Sequence, residues 1–114
     1  MMQLPELLQK QAEKLLDGLC GQMANDKYQP RHLRHRTTGQ AIELYEVRRD
    51  RQDPQQHHEL PVALLRYSPD LNQWSLHYND DERWKIYLNV TPTLDFNRLL
   101  TTIRQDPLRC FWPE

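Results

Sequence analysis

The sequence is short of the residues on which several kinds of functional site depend. Its three glycines, at positions 18, 21 and 39, are too few and too dispersed for a glycine-rich phosphate-binding loop. Its two cysteines, Cys20 and Cys110, match neither the spacing of a zinc site nor a disulfide framework, so we expect free, partly buried thiols. No apolar run is long enough to span a bilayer and no leader pattern opens the chain, so we expect a cytoplasmic protein without a membrane partner.

An excess of either charge is also absent. Fifteen lysines and arginines against sixteen aspartates and glutamates leave a net charge of -1, so no global field draws nucleic acid or an anionic membrane to the protein. Any such partner must be recognised by a local patch. The chain does contain three tryptophans, five tyrosines and two phenylalanines, which supply large apolar area. We therefore expect residues 1–114 to fold as a single domain with one core.

An amphipathic helix is predicted near each end of the chain. Residues 3–24 carry apolar side chains at steps of three and four, with charged residues between them. Residues 93–106 show the same period, with Thr93 suited to cap the helix and Pro107 suited to end it. The apolar tail at 108–112 is expected to fold back, because its large side chains are costly to leave in water.

Between the helices, residues 31–90 predict an antiparallel sheet of four or five strands, which makes the fold α+β. The first hairpin is expected to turn at Thr38-Gly39, with Thr37 opposite Gln40. Its expected register places Arg34 opposite Glu43 and Arg31 opposite Glu46, so that these charges pair.

The middle of the sheet has a different pattern. Residues 50–58, DRQDPQQHH, have no periodicity and predict a polar loop. Residues 60–67, LPVALLRY, are apolar on both alternating faces. That pattern predicts a central strand that is covered on each side.

The last hairpin carries most of the aromatic residues. A three-residue loop at 80–82 would set Tyr78 opposite Trp84, and pairing with the preceding strand would set Tyr67 opposite Trp74. Every large apolar side chain would then point to one face. The predicted core contains Leu15, Leu19, Leu65, Tyr67, Trp74, Leu76, Trp84, Ile86, Leu88, Phe96, Leu100 and Ile103.

Groups that could carry chemistry do not converge in the sequence. His32 and His35 would point to opposite faces of a strand, and the adjacent His57 and His58 seldom ligate one ion unaided. The acidic run at 80–82 is consecutive at a turn tip, whereas catalysis and metal binding need carboxylates from different parts of a scaffold. We therefore predict no metal, no cofactor, no small-molecule substrate and no catalytic residue.

Basic residues form two groups. The arginines at positions 31, 34 and 36 and those at 48, 49 and 51 would gather at one end of the first hairpin. The second group would lie on the outer face of the last hairpin and comprises His77, Arg83, Lys85 and Tyr87, with Arg66 on the neighbouring strand. Cations with an aromatic on a sheet suit single-stranded nucleic acid, although a solvated sheet face has the same composition. The candidate nucleic-acid-binding residues are Arg34, Arg36, Arg48, Arg49, Arg66, Arg83, Lys85 and Tyr87.

Several short motifs in residues 44–112 form a familiar series. They are Arg66-Tyr67, the Trp-x-Leu of Trp74 and Leu76, the Trp-x-x-Tyr of Trp84 and Tyr87, and Asp106-Pro107 followed by Phe111. In this order they resemble a family of small uncharacterised bacterial proteins, domain of unknown function 3024. The chain departs from the family at RRDRQDP, where members tend to have Arg-Pro followed by Trp. The resemblance implies one domain of this length and no particular substrate, cofactor or catalytic residue.

Two functions remain open at this point. The first is a non-enzymatic interaction module that binds a protein partner or itself, because no catalytic group converges and the two-faced apolar strands leave surface for another chain. The alternative is the binding of single-stranded nucleic acid through a basic and aromatic sheet face.

Overall fold

The computed structural model describes residues 3–112. The elements are α1 (Glu6–Ala24), β1 (Leu33–Thr38), β2 (Ala41–Arg49), β3 (His57–Ser68), β4 (Gln73–Asp80), β5 (Arg83–Ile86) and α2 (Phe96–Gln105). The strands form one antiparallel sheet in the order of the sequence. The predicted α+β fold is therefore confirmed. Within the described range, no helix is both long and apolar enough to cross a membrane.

Both helices pack against the same face of the sheet, which we call the inner face. Their apolar side chains share one cluster with alternate residues of the strands. Two polar contacts also tie α1 to β1: His35 Nε2 lies 2.7 Å from Asp17 Oδ1, and the Thr37 hydroxyl donates to Glu13 Oε2 at 3.1 Å. The opposite, outer face contributes no side chain from β1, β4 or β5 to that cluster.

The central strand β3 lies between β2 and β4, as its apolar run predicts. We predict that other elements cover β3 on both faces of the sheet, but its burial has a different cause. The register shifts by one residue beside Leu44 and Tyr45, which inserts an extra residue in β3 and lets Val62 and Ala63 both join the inner cluster. Leu64 is then the buried outer residue of the run, flanked by β2 and β4 within the sheet.

The first hairpin turns one residue later than the sequence predicts. Thr38 pairs with Ala41, so the turn is Gly39-Gln40, and Gly39 takes the left-handed conformation at φ 59°. The register is thereby shifted by two residues from our prediction: Arg36, not Arg34, is opposite Glu43. Because side chains alternate with a period of two, this error leaves every residue on its predicted face.

The register that we predict for the last hairpin is wrong by one residue. Asp81 and Glu82 form a two-residue turn in which both residues have positive φ, at 53° and 65°. Asn79, instead of Tyr78, therefore pairs with Trp84. Glutamate rarely adopts this conformation, so the sequence carries no strong signal for such a turn. The predicted pairing of Tyr67 with Trp74 is confirmed.

The one-residue error moves β5 side chains to the other face. Trp84 is only half-buried, Ile86 is 47% exposed and Leu88 is 86% exposed, so their assignment to the core is wrong. Tyr87 takes their place in the core, with 2% exposure. Leu15 of α1 is also exposed instead of buried, whereas the remaining predicted core residues are buried.

The second helix begins later than predicted. Its N-cap is Asp95, whose side chain accepts from the Arg98 backbone N–H at 3.2 Å. Thr93 does not cap the helix, because it forms a bridge with Trp74 through two backbone hydrogen bonds of 2.8 and 2.9 Å. This bridge holds the segment before α2 against the edge of β4.

The tail folds back, as predicted, and Asp106 holds it. This residue ends α2 in the left-handed conformation, and its carboxylate accepts the backbone N–H groups of Cys110, Phe111 and Trp112 at 2.7, 3.2 and 2.8 Å. Phe111 is buried and Trp112 half-buried, although Leu108 remains exposed.

Candidate anion-binding cleft

A cleft forms because β2 extends beyond the start of β1. The segment that enters β1 stays beside β2, since Val47 N–H donates to His32 O at 2.9 Å, and Arg31 N–H donates to Met23 O at 2.9 Å. The start of β3 completes the wall. We call this feature, of about 880 Å³, the cationic cleft; it is lined by Gln29, Pro30, Arg31, His32, Arg34, Glu46, Val47, Arg48, Arg49 and His57.

A buried carboxylate organises the floor of the cationic cleft. Glu46 is buried and accepts from Arg31 Nη1 at 3.1 Å and from Arg48 Nη2 at 3.2 Å. The Arg31 guanidinium also lies 4.6 Å from the ring centroid of Trp112. A buried charge needs such partners, and charge-assisted hydrogen bonds hold the partners in place. Two guanidinium groups are therefore positioned by the fold itself.

Two further arginines give the cationic cleft its excess charge. Arg34 and Arg49 are exposed, and no carboxylate of residues 3–112 lies within ion-pair distance of either. The described lining thus includes two arginines, Arg34 and Arg49, that form no ion pair with a carboxylate of this part of the chain. A concave surface with this excess attracts anions even though the whole chain has a net charge of -1.

The predicted gathering of hairpin arginines holds for four of the six, which line the cleft together. Arg36 is diverted: it forms ion pairs with Glu43 at 2.9 Å and Glu59 at 3.1 Å, and it lies 4.4 Å from the Tyr45 ring centroid. The pKa of Arg36 is raised, chiefly by its hydrogen bond to Glu43. Arg51 lies in the exposed loop after β2 and is not part of the lining.

The second basic group is not brought together. Arg66 is exposed on the outer face opposite Ser75. Lys85 is opposite Tyr78, whose side chain packs against the inner cluster, and its ammonium group pairs with Asp80 at 2.7 Å. Arg83 is also opposite Asp80, at the turn. The predicted placement of these residues together on the outer face is therefore wrong, and their contact with nucleic acid stays a prediction.

Tyr87, assigned to that surface as its stacking aromatic, is in the core. Its ring contacts Tyr78 and Phe111, with centroid distances of 6.3 and 5.2 Å. A side chain that is 2% exposed has no face available for a base.

One polar pair on the outer face was missed by the sequence analysis. His77 is buried there, with Nε2 2.9 Å from the Ser75 hydroxyl. Burial and the nearby Arg66 lower the pKa of His77, which keeps its ring neutral. A serine and a histidine two residues apart on a strand were the available signal. No carboxylate of the described chain orients this imidazole, so the pair lacks the third member of a catalytic triad.

The two cysteine thiols are not activated, because the pKa of each is raised. Cys20 and Cys110 are free and half-buried, as predicted, and burial raises the pKa of Cys20 to about 11. Burial also raises the pKa of Cys110. Between residues 3 and 112, no three His, Cys, Asp or Glu side chains are grouped so as to hold a metal ion.

A comparison with protein families places the fold in context. The family model described as Domain of unknown function (DUF3024) matches residues 4–113. The chain belongs to this family. The match confirms the resemblance and extends it from 44–112 to α1 and the first hairpin. No curated protein and no solved structure matched the chain.

The motifs on which the resemblance to the DUF3024 family rests can be located in the structure. Tyr67, Trp74, Tyr87 and Phe111 are buried in the inner cluster, and Asp106 holds the tail. These motifs therefore maintain the fold. The cationic cleft is built mainly by residues outside them.

Proposed function

We propose that this DUF3024 domain is a non-enzymatic binding module that takes the phosphate backbone of nucleic acid in its cationic cleft. The observation that supports this proposal is the presence of two exposed arginines, Arg34 and Arg49, that form no ion pair with a carboxylate of residues 3–112. Phosphates provide the matching charge, and arginine provides several donors in a planar fork that suits their oxygens. This exposed pair would bind the phosphate oxygens at the mouth of the cationic cleft.

The exposed pair offers the sharper test. The double variant Arg34→Gln/Arg49→Gln removes two charges without disturbing Glu46, and Arg83→Gln/Arg98→Gln removes two exposed charges outside the cationic cleft as a matched control. Binding of a labelled oligonucleotide is followed by fluorescence anisotropy across a series of salt concentrations. Each lost phosphate contact should lower the magnitude of the salt slope by about 0.7.

We expect the cleft variant to bind more weakly and with a slope reduced by about 1.4, while the control keeps the parental slope. The proposal fails if the parent does not bind at low salt. It also fails if the cleft variant and the control behave alike.

Self-association is the second candidate, and the register of β5 favours it. Trp84 and Ile86 bring apolar area to the outer side of β5, a short edge strand, and Leu88 lies exposed two residues beyond its end. A second copy of the chain would cover this area. Sedimentation equilibrium should then show a dimer that Ile86→Lys/Leu88→Lys converts to monomer. A parent that stays monomeric at every concentration would exclude this candidate.

A further inference from the structure

A second groove adjoins the cationic cleft. It has a volume of about 840 Å³, shares Gln29 and Arg31 with the cleft, and reaches the helix α2 and the tail. Arg104 and Arg109 line it and are exposed. Arg31 thus lies at the junction of the two depressions, with its guanidinium held between Glu46 and the ring of Trp112.

The two carboxylates of the second groove are already used by the backbone. Asp106 accepts three N–H groups of the tail. Asp26 accepts the N–H groups of Tyr28 and Gln29 at 2.9 and 2.8 Å, and these bonds lower the pKa of Asp26. Both carboxylates keep their negative charge but direct it at backbone N–H groups, whereas Arg109 forms no ion pair with a carboxylate of the described chain.

An exposed aromatic stands at the rim of the second groove. Tyr28 is 84% exposed and lines the groove, with Lys27 Nζ 5.8 Å from its ring centroid. An isolated exposed tyrosine needs no explanation. Here, however, the Asp26 turn fixes its backbone, and Tyr28 lines the same groove as Arg104 and Arg109. Aromatic rings beside a basic groove are the platforms on which unpaired bases stack.

We propose that a single strand runs from the cationic cleft over Arg31 into the second groove, where one of its bases stacks on Tyr28. This inference rests on the proposed function and specifies its ligand. The ligand is an extended single strand of several nucleotides, held by phosphates at both depressions. A duplex keeps its bases stacked and paired, so it cannot offer one to Tyr28.

The test compares four probes: a single-stranded oligonucleotide, the same sequence as a duplex, an abasic strand of equal length, and inorganic polyphosphate. Tyr28→Ala should weaken binding of the oligonucleotide by about 5-fold to 150-fold and leave binding of the abasic strand unchanged. Tyr28→Phe keeps the ring and should bind like the parent. Because Tyr28 is exposed, neither substitution removes a core contact.

A second pair of variants tests the path of the strand. Arg104→Gln/Arg109→Gln should reduce the salt slope for a long oligonucleotide but not for one short enough to fill only the cationic cleft. The inference is overturned if the long and short probes respond alike, if the duplex competes as well as the single strand, or if Tyr28→Ala binds like the parent.

Failure of this inference can be distinguished from failure of the proposed function. If Arg34→Gln/Arg49→Gln abolishes binding while the Tyr28 and Arg104/Arg109 variants have no effect, the cationic cleft binds phosphate and the second groove takes no part. If the parent binds no probe at low salt, both proposals fall.

Discussion

Removal of the Asp106 carboxylate should release the C-terminal tail. The side chain accepts three backbone N–H groups, and its backbone has φ 44°. In Asp106→Ala, each bond costs about 1 kcal/mol net, since two of the three amides are only part-buried and regain water. Placing alanine in the left-handed region adds about 1 kcal/mol. The expected loss of unfolding free energy is therefore about 4 kcal/mol.

Asparagine separates the two contributions. Asp106→Asn tolerates the left-handed backbone and keeps one oxygen, which can still accept from Cys110 and Phe111. Asp106→Asn loses the second carboxylate oxygen, which accepts from the Trp112 N–H, and the two remaining hydrogen bonds no longer have a charged acceptor. We expect it to lower the unfolding free energy by about 2 kcal/mol, half of the alanine effect.

Urea unfolding followed by tryptophan fluorescence measures both changes. Leu108→Ala is the matched control: it lies in the same tail but is exposed, so its effect should stay within about 0.5 kcal/mol. An alanine variant that loses less than about 1 kcal/mol would refute the reasoning, because the three bonds would then be replaced by water at no cost. An asparagine variant less stable than the alanine variant would refute it as well.

Three other buried polar groups give further predictions. Tyr87→Phe should leave stability unchanged or raise it by up to about 1 kcal/mol, because no group of residues 3–112 meets the geometry of a hydrogen bond to that buried hydroxyl. Tyr67→Phe should cost about 1 kcal/mol in the same urea assay, because the Tyr67 hydroxyl donates to a side-chain oxygen at 2.6 Å. Burial and Arg66 lower the pKa of His77 in the folded protein. As pH falls through about 6.5, the unfolded state therefore binds a proton before the folded state does, and the unfolding free energy should decline. His77→Gln should make that decline with pH less steep.

The sequence predicted the order and kind of the elements, and its two register errors come from turns. Periodicity identifies a helix or strand over many residues, so a single misplaced residue matters little. The register of a hairpin depends on two or three turn residues. At the first hairpin the error was two residues and every side chain kept its face. At the last hairpin the error was one residue, which exchanged Tyr87 for Ile86 in the core.

The sequence predicted that hairpin arginines gather at one end of the sheet, but not which of them line the cationic cleft. Antiparallel pairing brings the start of β1 and the end of β2 together, which the sequence indicated. The loss of Arg36 from the cluster depends on Glu59, which belongs to another strand and lies 23 residues away. Long-range partners of this kind are set by the sheet order and the β3 bulge, neither of which has a local signature.

Membership of the DUF3024 family carries information about the fold more than about the ligand. Of the motif residues, Tyr67, Trp74, Tyr87 and Phe111 pack the inner cluster and Asp106 holds the tail, so these five would be needed whatever the domain binds. Arg49 and Arg51, by contrast, stand where we expect relatives to differ from this chain, and Arg49 lines the cationic cleft. Binding at the cleft should therefore vary among relatives with the charge at this position, while the Asp106 clamp should stabilise each of them. Comparison of relatives with and without arginine here would separate ligand recognition from folding.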